Sequence, residues 1–150
     1  MTGRPVFREL SHDEMVTLLS RNHVARIAFT LHDQVSIQPV HYVYHEGWLY
    51  GRTAPGTKLS TIAHQPWVAL EIDEVRSTFD WASVVVHGKF DVLDETWHQP
   101  ETLQRAVSLL QGLIPGSLQD DDPVPFRTVL FRIYTSEITG RACSLDSPGA

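Results

Sequence analysis

The sequence has little cysteine and no long apolar run, and each absence excludes a class of protein. Its 150 residues include one cysteine, Cys143, so no disulfide can form within the chain and a zinc site built from several cysteines is excluded. No segment approaches the roughly 18 consecutive apolar residues of a membrane-spanning helix. The first residues also lack the apolar core of a secretory signal. Together these absences predict a cytoplasmic protein in a reducing compartment.

Basic residues are also scarce, with 12 Lys and Arg against 18 Asp and Glu, and the formal net charge is −6. Nucleic acids are bound through many phosphate-neutralising cations, so this balance opposes nucleic-acid binding. We therefore expect neither a nucleic-acid nor a membrane partner. The hydrophobic fraction of 42% is that of a folded chain. The length predicts a single domain over 1–150, with its core at about 11–141.

Local hydrophobic patterns predict a mainly β chain. Alternating or β-branched runs predict six strands, at 24–31, 35–44, 48–50, 67–72, 81–92 and 129–135. Helical spacing predicts helices after the capping box at 11–14, over 57–64 and over 100–110. Consecutive strands have connections too short for parallel crossovers. We therefore expect an antiparallel six-stranded β-barrel with two or three flanking helices, because closure removes exposed edges.

Four smaller patterns refine this prediction. Pro39 cannot donate a sheet hydrogen bond, so we expect it at an edge, a bulge or a ligand-facing position. The apolar run Val84–Val86 predicts a strand buried on both sides. The acidic run Asp120–Asp122 predicts a solvated loop, with a metal site as the alternative. The tail, residues 144–150, is expected to be disordered or peripheral.

The segment 50–60 has the chemistry to bind an anion. Its spacing from Gly51 to Gly56 approaches a nucleotide-binding P-loop, but Thr57 precedes Lys58, which reverses the order that motif needs. A helix that begins at Gly56 would present free N–H groups and a favourable dipole to a phosphate. Cationic and hydroxyl side chains flank that turn: Arg52, Thr53, Thr57 and Lys58. The spacing alone predicts a phosphate site or an ordinary solvent-facing loop.

Six blocks of the sequence resemble the pyridoxamine 5′-phosphate oxidase-like flavoproteins, in the short bacterial branch that includes nitroimidazole-resistance proteins. They read RIAF from Arg26, SIQPVHY from Ser36, RTAPGTKL from Arg52, VALEIDE from Val68, SVVVHGK from Ser83 and ITGR from Ile138. The blocks span about 26–141 in the family's order. The resemblance implies a split β-barrel homodimer that binds FMN at the subunit interface.

The resemblance also implies a set of cofactor-binding residues: Gln38, Pro39, Val40, His41, Arg52, Thr53, Thr57, Lys58 and Ser83. Lys58 matches the family's phosphate lysine, and the polar residues at 52, 53 and 57 match the phosphate contacts around it. The backbone of 38–40 matches the strand along the isoalloxazine ring, and Ser83 matches a polar ring contact. No catalytic residue and no metal ligand is assigned.

Departures from the oxidases limit the expected activity. The segment 134–141 lacks the C-terminal Trp and the Arg–His pair of the true oxidases, so we do not expect pyridoxamine phosphate oxidase activity. His41 stands where Asn is frequent in the branch, and His87 stands where Arg is common. His41 could contact flavin or substrate. Its spacing of four from His45 predicts a shared strand face, with a metal or haem ligand as an alternative.

We therefore predict an FMN-dependent oxidoreductase. Its flavin would take electrons or hydride from reduced nicotinamide and pass them to an unidentified small molecule. The alternatives are a non-catalytic flavin carrier or sensor, and a member of the same fold that binds a deazaflavin or haem.

Overall fold

Nine strands and three helices form the part of the chain that the structure, a computed structural model, describes: residues 3–146, without the side chains of Thr57 and Lys58. In chain order they are β1 (Pro5–Glu9), α1 (His12–Arg21), β2 (Val24–Leu31), β3 (Gln34–His41), β4 (Val43–His45), β5 (Trp48–Thr53), α2 (Thr57–His64), β6 (Trp67–Ser77), β7 (Asp80–Val92), α3 (Pro100–Leu113), β8 (Val129–Tyr134) and β9 (Glu137–Leu145). None of these helices is long and apolar enough to span a membrane.

The strands pair antiparallel in the order β3-β2-β6-β7-β8-β5-β4, and β9 pairs with both β7 and β1. Strand β7 belongs to both halves of the sheet, because it pairs with β6 and β9 over most of its length and with β8 from Phe90 to Val92. The path begins at β3 and ends at β4, so the sheet is not closed. This is the mainly β, antiparallel split barrel that the family resemblance implies, and the full closure expected from the strand pattern does not occur.

The core lies on the inner faces of these strands. It is one large cluster around Leu70, Ile72, Val84, Val86 and Ile133, each at most 1% exposed. Helix α1 contributes one apolar face to it, and the predicted capping box at 11–14 is confirmed. Helix α2 packs against β2 and β7, and α3 covers a smaller cluster on β5.

The long strand predicted at 35–44 is wrong in one respect, because the chain bends at Tyr42. Tyr42 is 1% exposed, its hydroxyl donates to the Leu19 carbonyl at 2.8 Å, and its N–H donates to the His23 carbonyl at 3.0 Å. Burial raises the pKa of this phenol. The anchored residue separates β3, which pairs with β2, from β4, which pairs with β5. His41 and His45 therefore lie on different strands, and the predicted shared face is incorrect.

Other differences concern extent and number. The six predicted strands are present, and three more (β1, the separated β4 and β9) bring the total among the described residues to nine. Ser144 and Leu145, predicted to be peripheral, belong to β9 and pair with β1, whereas 147–150 lie outside the described residues. In the Val84–Val86 run, Val84 and Val86 face the core but Val85 is only half-buried. The edge position predicted for Pro39 is confirmed, since β3 has one neighbouring strand.

Candidate functional site

A small cavity lies between the inner face of β3, the end of β5 and helix α2. Its lining residues are Ile27, Gln38, Val40, Thr53, Leu59, Ile62, Phe90 and Phe131. The cavity volume is about 20 Å³, which accommodates a water molecule but no larger group. The cavity is therefore too small to enclose an organic ligand by itself.

Strand alternation explains which β3 side chains reach this cavity. Successive side chains of a strand point to opposite faces of the sheet. Gln38 pairs with Ile27, a core residue, and so faces inward, whereas Pro39 pairs with Arg26 on the outer face. The predicted cofactor-binding run 38–40 is thus divided, with Gln38 and Val40 at the cavity and Pro39 outside.

The same alternation separates Arg52 from Thr53 on β5. Thr53 lines the cavity, and Arg52 lies on the other face, where it forms an ion pair with Asp122. Arg52 Nη2 donates to Asp122 Oδ1 at 2.8 Å, and Nη1 donates to Oδ2 at 2.5 Å. The Arg52 guanidinium is thus paired on the face of β5 opposite Thr53, and its role as a phosphate contact stays a prediction.

Asp122 also corrects the prediction of a solvated acidic loop. Its side chain is 3% exposed, and it accepts hydrogen bonds from the N–H groups of Leu118 at 2.8 Å and Val124 at 2.9 Å. The hydrogen bonds from Arg52 hold the pKa of this carboxyl well below its usual range. Its neighbours Asp120 and Asp121 are exposed as predicted. Three consecutive acidic residues carry no signal that identifies which one turns inward.

Helix α2 begins beside the cavity with an uncapped end. Its N-cap is Gly56, no described side chain caps the first turn, and Leu59 of that turn lines the cavity. A Cβ placed on Gly56 would meet no atom of the described residues within 4 Å, so the backbone here is open to approach. Free N–H groups at a helix start favour an anion. The side chains of Thr57 and Lys58, predicted phosphate contacts, lie outside the described residues.

The remaining predicted residues are His41 and Ser83. His41 lines a small cavity with Arg52 and Ser117, whereas Ser83 lies on the outer face of the sheet. His41 is exposed at the end of β3. Ser83 Oγ donates to Glu71 Oε2 at 2.7 Å, and Arg26 Nη1 lies 3.7 Å from Glu71 Oε1. Burial raises the pKa of the Glu71 carboxyl, and the hydrogen bond from Ser83 opposes that shift. Ser83 is therefore part of a polar cluster outside the barrel, away from the cavity of its own chain.

Exposed apolar side chains lie on the same face of the sheet as this polar cluster. Val35 is 81% exposed, and Ile37 and Trp67 are each 67% exposed on the same outer face of β3, β2 and β6. An apolar groove of about 270 Å³ runs beside them, with His87 at one side. Apolar surface of this kind usually marks an interaction site.

Comparisons with known proteins cover nearly all of this architecture. A family model described as pyridoxamine 5′-phosphate oxidase matches residues 11–142. An uncharacterized protein of Rhizobium meliloti (strain 1021) is 32% identical over 145 residues, or 90% of this chain and 94% of that protein. The crystal structure of an FAD-binding protein from Mesorhizobium loti is similar with a TM-score of 0.75 at 27% identity, covering 94% of this chain and 99% of that one.

A second solved structure shares the fold at lower identity. It is a 5-nitroimidazole antibiotic resistance-like protein from Bacteroides thetaiotaomicron, 14% identical with a TM-score of 0.71, and the match covers 97% of this chain and 92% of that one. The family match at 11–142 includes β3, β5 and α2, which form the cavity, and the outer face of the sheet.

Proposed function

This chain belongs to the pyridoxamine 5′-phosphate oxidase family, and from that premise we propose that it binds a flavin nucleotide across the cavity between β3, β5 and α2. The observation that carries the proposal is the juxtaposition in that cavity of Gln38, Val40 and Thr53 with the first turn of α2. An apolar surface suited to the flavin ring and a helix N-terminus suited to an anion thus lie within one site. The Mesorhizobium loti protein, described as FAD-binding, supports a flavin as the ligand.

The phosphate of the flavin belongs at the start of α2. The N–H groups of the first turn of α2, which no described side chain caps, and the open backbone at Gly56 suit a phosphate. Thr53 lines the same cavity as Leu59 of that turn. Lys58 and Thr57 are the side chains that the sequence adds to this set. A terminal phosphate on such a site favours FMN.

The ring belongs over the apolar floor, with β3 along one side. Val40, Leu59 and Ile62 supply apolar contact, and the Gln38 amide supplies a donor and an acceptor at the ring's edge. Strand β3 is a sheet edge, so its outer backbone groups are available for hydrogen bonds. A bound flavin supplies hydride and electron transfer, and these residues bind and orient it.

A second copy of the chain is the proposed cover for the ring. The cavity is too shallow to enclose a flavin, and the exposed apolar face containing Val35, Ile37 and Trp67 lies on β3, which also forms the cavity wall, and on the nearby β6. A twofold dimer is the commonest closed assembly. Packing on this face would bury the polar cluster of Arg26, Glu71 and Ser83 at the interface, where Ser83 and His41 of each subunit approach the other's site.

The proposed activity is flavin-dependent oxidoreduction of a small molecule, with reduced nicotinamide as a diffusible reductant, in the cytoplasm where that reductant is abundant. Residues 134–141 lack the C-terminal pattern of the true oxidases, so pyridoxamine phosphate is not the proposed substrate.

An absorption spectrum, titrations with flavins and a deazaflavin, and an assay of NADH oxidation test the proposal. Purified protein is expected to carry or take up flavin, with FMN bound more tightly than riboflavin and at least as tightly as FAD. A Soret band would indicate haem instead, and binding of a deazaflavin in preference to FMN would replace the proposed cofactor. Oxidation of NADH that requires both flavin and an acceptor supports an enzyme, whereas flavin binding without turnover supports a carrier or sensor. Absence of binding to all flavins would contradict the proposal.

A further inference from the structure

The buried ion pair between Arg52 and Asp122 connects the end of β5 to the loop 114–128. Besides Asp122, Arg52 contacts two groups of that loop: Nη2 donates to Ser117 Oγ at 3.3 Å and Nη1 donates to the Arg127 carbonyl at 3.4 Å. The side chains of Arg52 and Asp122 are 5% and 3% exposed. The planar guanidinium and the carboxylate form a two-bond fork, which fixes orientation as well as distance.

The loop end of this ion pair is itself anchored. Asp122 accepts from the N–H groups of Leu118 and Val124, and Ser117 Oγ donates to the Ile114 carbonyl at 2.6 Å. Gln111 of α3 donates to the Ser117 carbonyl at 3.0 Å. The carboxylate is therefore a fixed point attached to α3, and Arg52 is held against it.

Strand β5 carries this constraint to the proposed flavin site. Thr53 is the last residue of β5 and follows Arg52 directly, and the turn 54–56 then leads into α2. Opposite faces of one strand thus carry the ion pair and the cavity-lining residue Thr53. The contacts of Arg52 therefore anchor the residue that directly precedes Thr53 and the turn.

We infer that Asp122 is a positioning residue, which acts through Arg52 to hold Thr53 and the turn 54–56 in the conformation that receives the flavin phosphate. This inference rests on the proposed function for its ligand. Asp122 itself contacts neither the cavity nor the proposed flavin, because its loop approaches β5 from the other side of the sheet. The expected effect is specific to ligands that carry the phosphate.

The test compares Asp122→Asn with Asp120→Asn, an exposed neighbour on the same loop. Asp122→Asn is expected to weaken FMN binding about 3- to 10-fold, in the lower part of the range of coupling between neighbouring residues, and to weaken riboflavin binding less than about 2-fold. Asp120→Asn is expected to change both affinities less than 2-fold. Combined with Thr53→Val, Asp122→Asn should lose less FMN affinity than the two single losses predict, because both act on the same contact.

Hydrogen exchange of the flavin-free protein separates this inference from the proposed function. Asp122→Asn is expected to raise the exchange rate of the amides at 53–58 relative to those of β2 and β6. If that occurs and no flavin binds the wild type, the proposed function is wrong and the coupling is correct. Equal losses of affinity for FMN and riboflavin, or unchanged exchange rates of the amides at 53–58, would overturn the inference. Ser117→Ala, which removes one contact to Arg52 and keeps the ion pair, should give a smaller effect in the same direction if Asp122→Asn does not fold.

Discussion

Gly88 lies where β7 passes closest to the end of β8. A Cβ at this position would lie 2.2 Å from the Tyr134 carbonyl oxygen and 2.8 Å from Ile133 Cγ2. A backbone carbonyl in a sheet cannot move aside easily, so Gly88→Ala is expected to lower the free energy of unfolding by about 2–3 kcal/mol. Urea denaturation measures this change.

Gly112 provides the matched control for Gly88. It lies in α3, and a Cβ there meets no atom of the described residues within 4 Å. Gly112→Ala should raise the free energy of unfolding by about 0.5–1 kcal/mol, because alanine loses less backbone entropy in a helix. If both substitutions changed the free energy of unfolding in the same direction, the steric explanation for Gly88 would be contradicted.

Asp122 gives a pH dependence of stability whose sign follows from its pKa. The hydrogen bonds from Arg52 lower that pKa below the ordinary 3.8, so the folded state favours the ionised form. Its contribution is complete above about pH 4 and is lost as the pH falls towards the folded-state pKa. We expect the Tm of Asp122→Asn to lie below that of wild type at pH 7 and to converge on it in acid. A constant difference from pH 7 to pH 2.5 would contradict the assignment.

At the residue scale, the sequence predicts which side chains could bind a phosphate better than it predicts which face of a strand each one occupies. The residues Arg52 and Thr53 are both suitable for a phosphate, and only their alternation on β5 separates them. That alternation could be predicted only once β5 was known to extend to Thr53, and the apolar pattern ends at Tyr50. The partner of Arg52 lies 70 positions away, so no local pattern identifies it.

Helix α1 is the element whose sequence signal is most complete. Ser11 Oγ accepts from the Glu14 N–H at 3.2 Å, and the Glu14 carboxylate accepts from the Ser11 N–H at 3.0 Å. Arg8 binds the same carboxylate and lowers the pKa of Glu14 to about 2. Ser11→Ala is expected to lower the free energy of unfolding by about 1 kcal/mol.

Ser20 is the control for the capping prediction because it lies within the same helix. Its hydroxyl donates to the Val16 carbonyl at 2.7 Å, a bond that an alanine does not need. Ser20→Ala should change the free energy of unfolding by less than about 0.5 kcal/mol. Thermal melts of the two variants test this comparison. A loss of stability in Ser20→Ala as large as that in Ser11→Ala would contradict the stabilising role of the cap.

Elements with local signals are predicted well, and those that depend on distant partners are not. The hairpin from β2 to β3 is encoded by alternation and by a turn in which His32 and Asp33 take positive φ values of 52° and 63°. By contrast, β1 and β9 lie at opposite ends of the chain, with Pro5 paired to Leu145. The bend at Tyr42 depends on a carbonyl of α1, which strand periodicity does not report.

At the scale of the whole molecule, the exposed outer face predicts a dimer. Light scattering at micromolar concentration should give about 34 kDa, twice the 16.9 kDa of one chain. Ile37→Glu places a charge on the 67% exposed residue of that face and should give monomers. Phe126→Glu, at a 59% exposed residue of the 114–128 segment, should remain dimeric. A monomeric wild-type protein with flavin bound would contradict the proposed cover for the ring.

The split barrel itself could be predicted because half of its strand pairs join consecutive strands and its sequence blocks resemble a family. Which faces meet, and which residues share a cavity, depend on the register of pairs such as Gln38–Ile27 and on the path of β7 through both halves. Those are properties of the assembled sheet.

Titration of FMN and riboflavin into the Lys58→Ala variant tests whether a flavin phosphate lies at the start of α2. A charge-assisted hydrogen bond is worth about 1.5–3 kcal/mol, so FMN affinity should fall about 10- to 100-fold. Riboflavin has no phosphate, and its affinity should fall less than about 3-fold. Arg105→Ala, which removes an exposed cation from α3, should leave the affinities for both ligands unchanged. Equal losses for FMN and riboflavin, or an unchanged FMN affinity, would place the phosphate elsewhere and contradict the account.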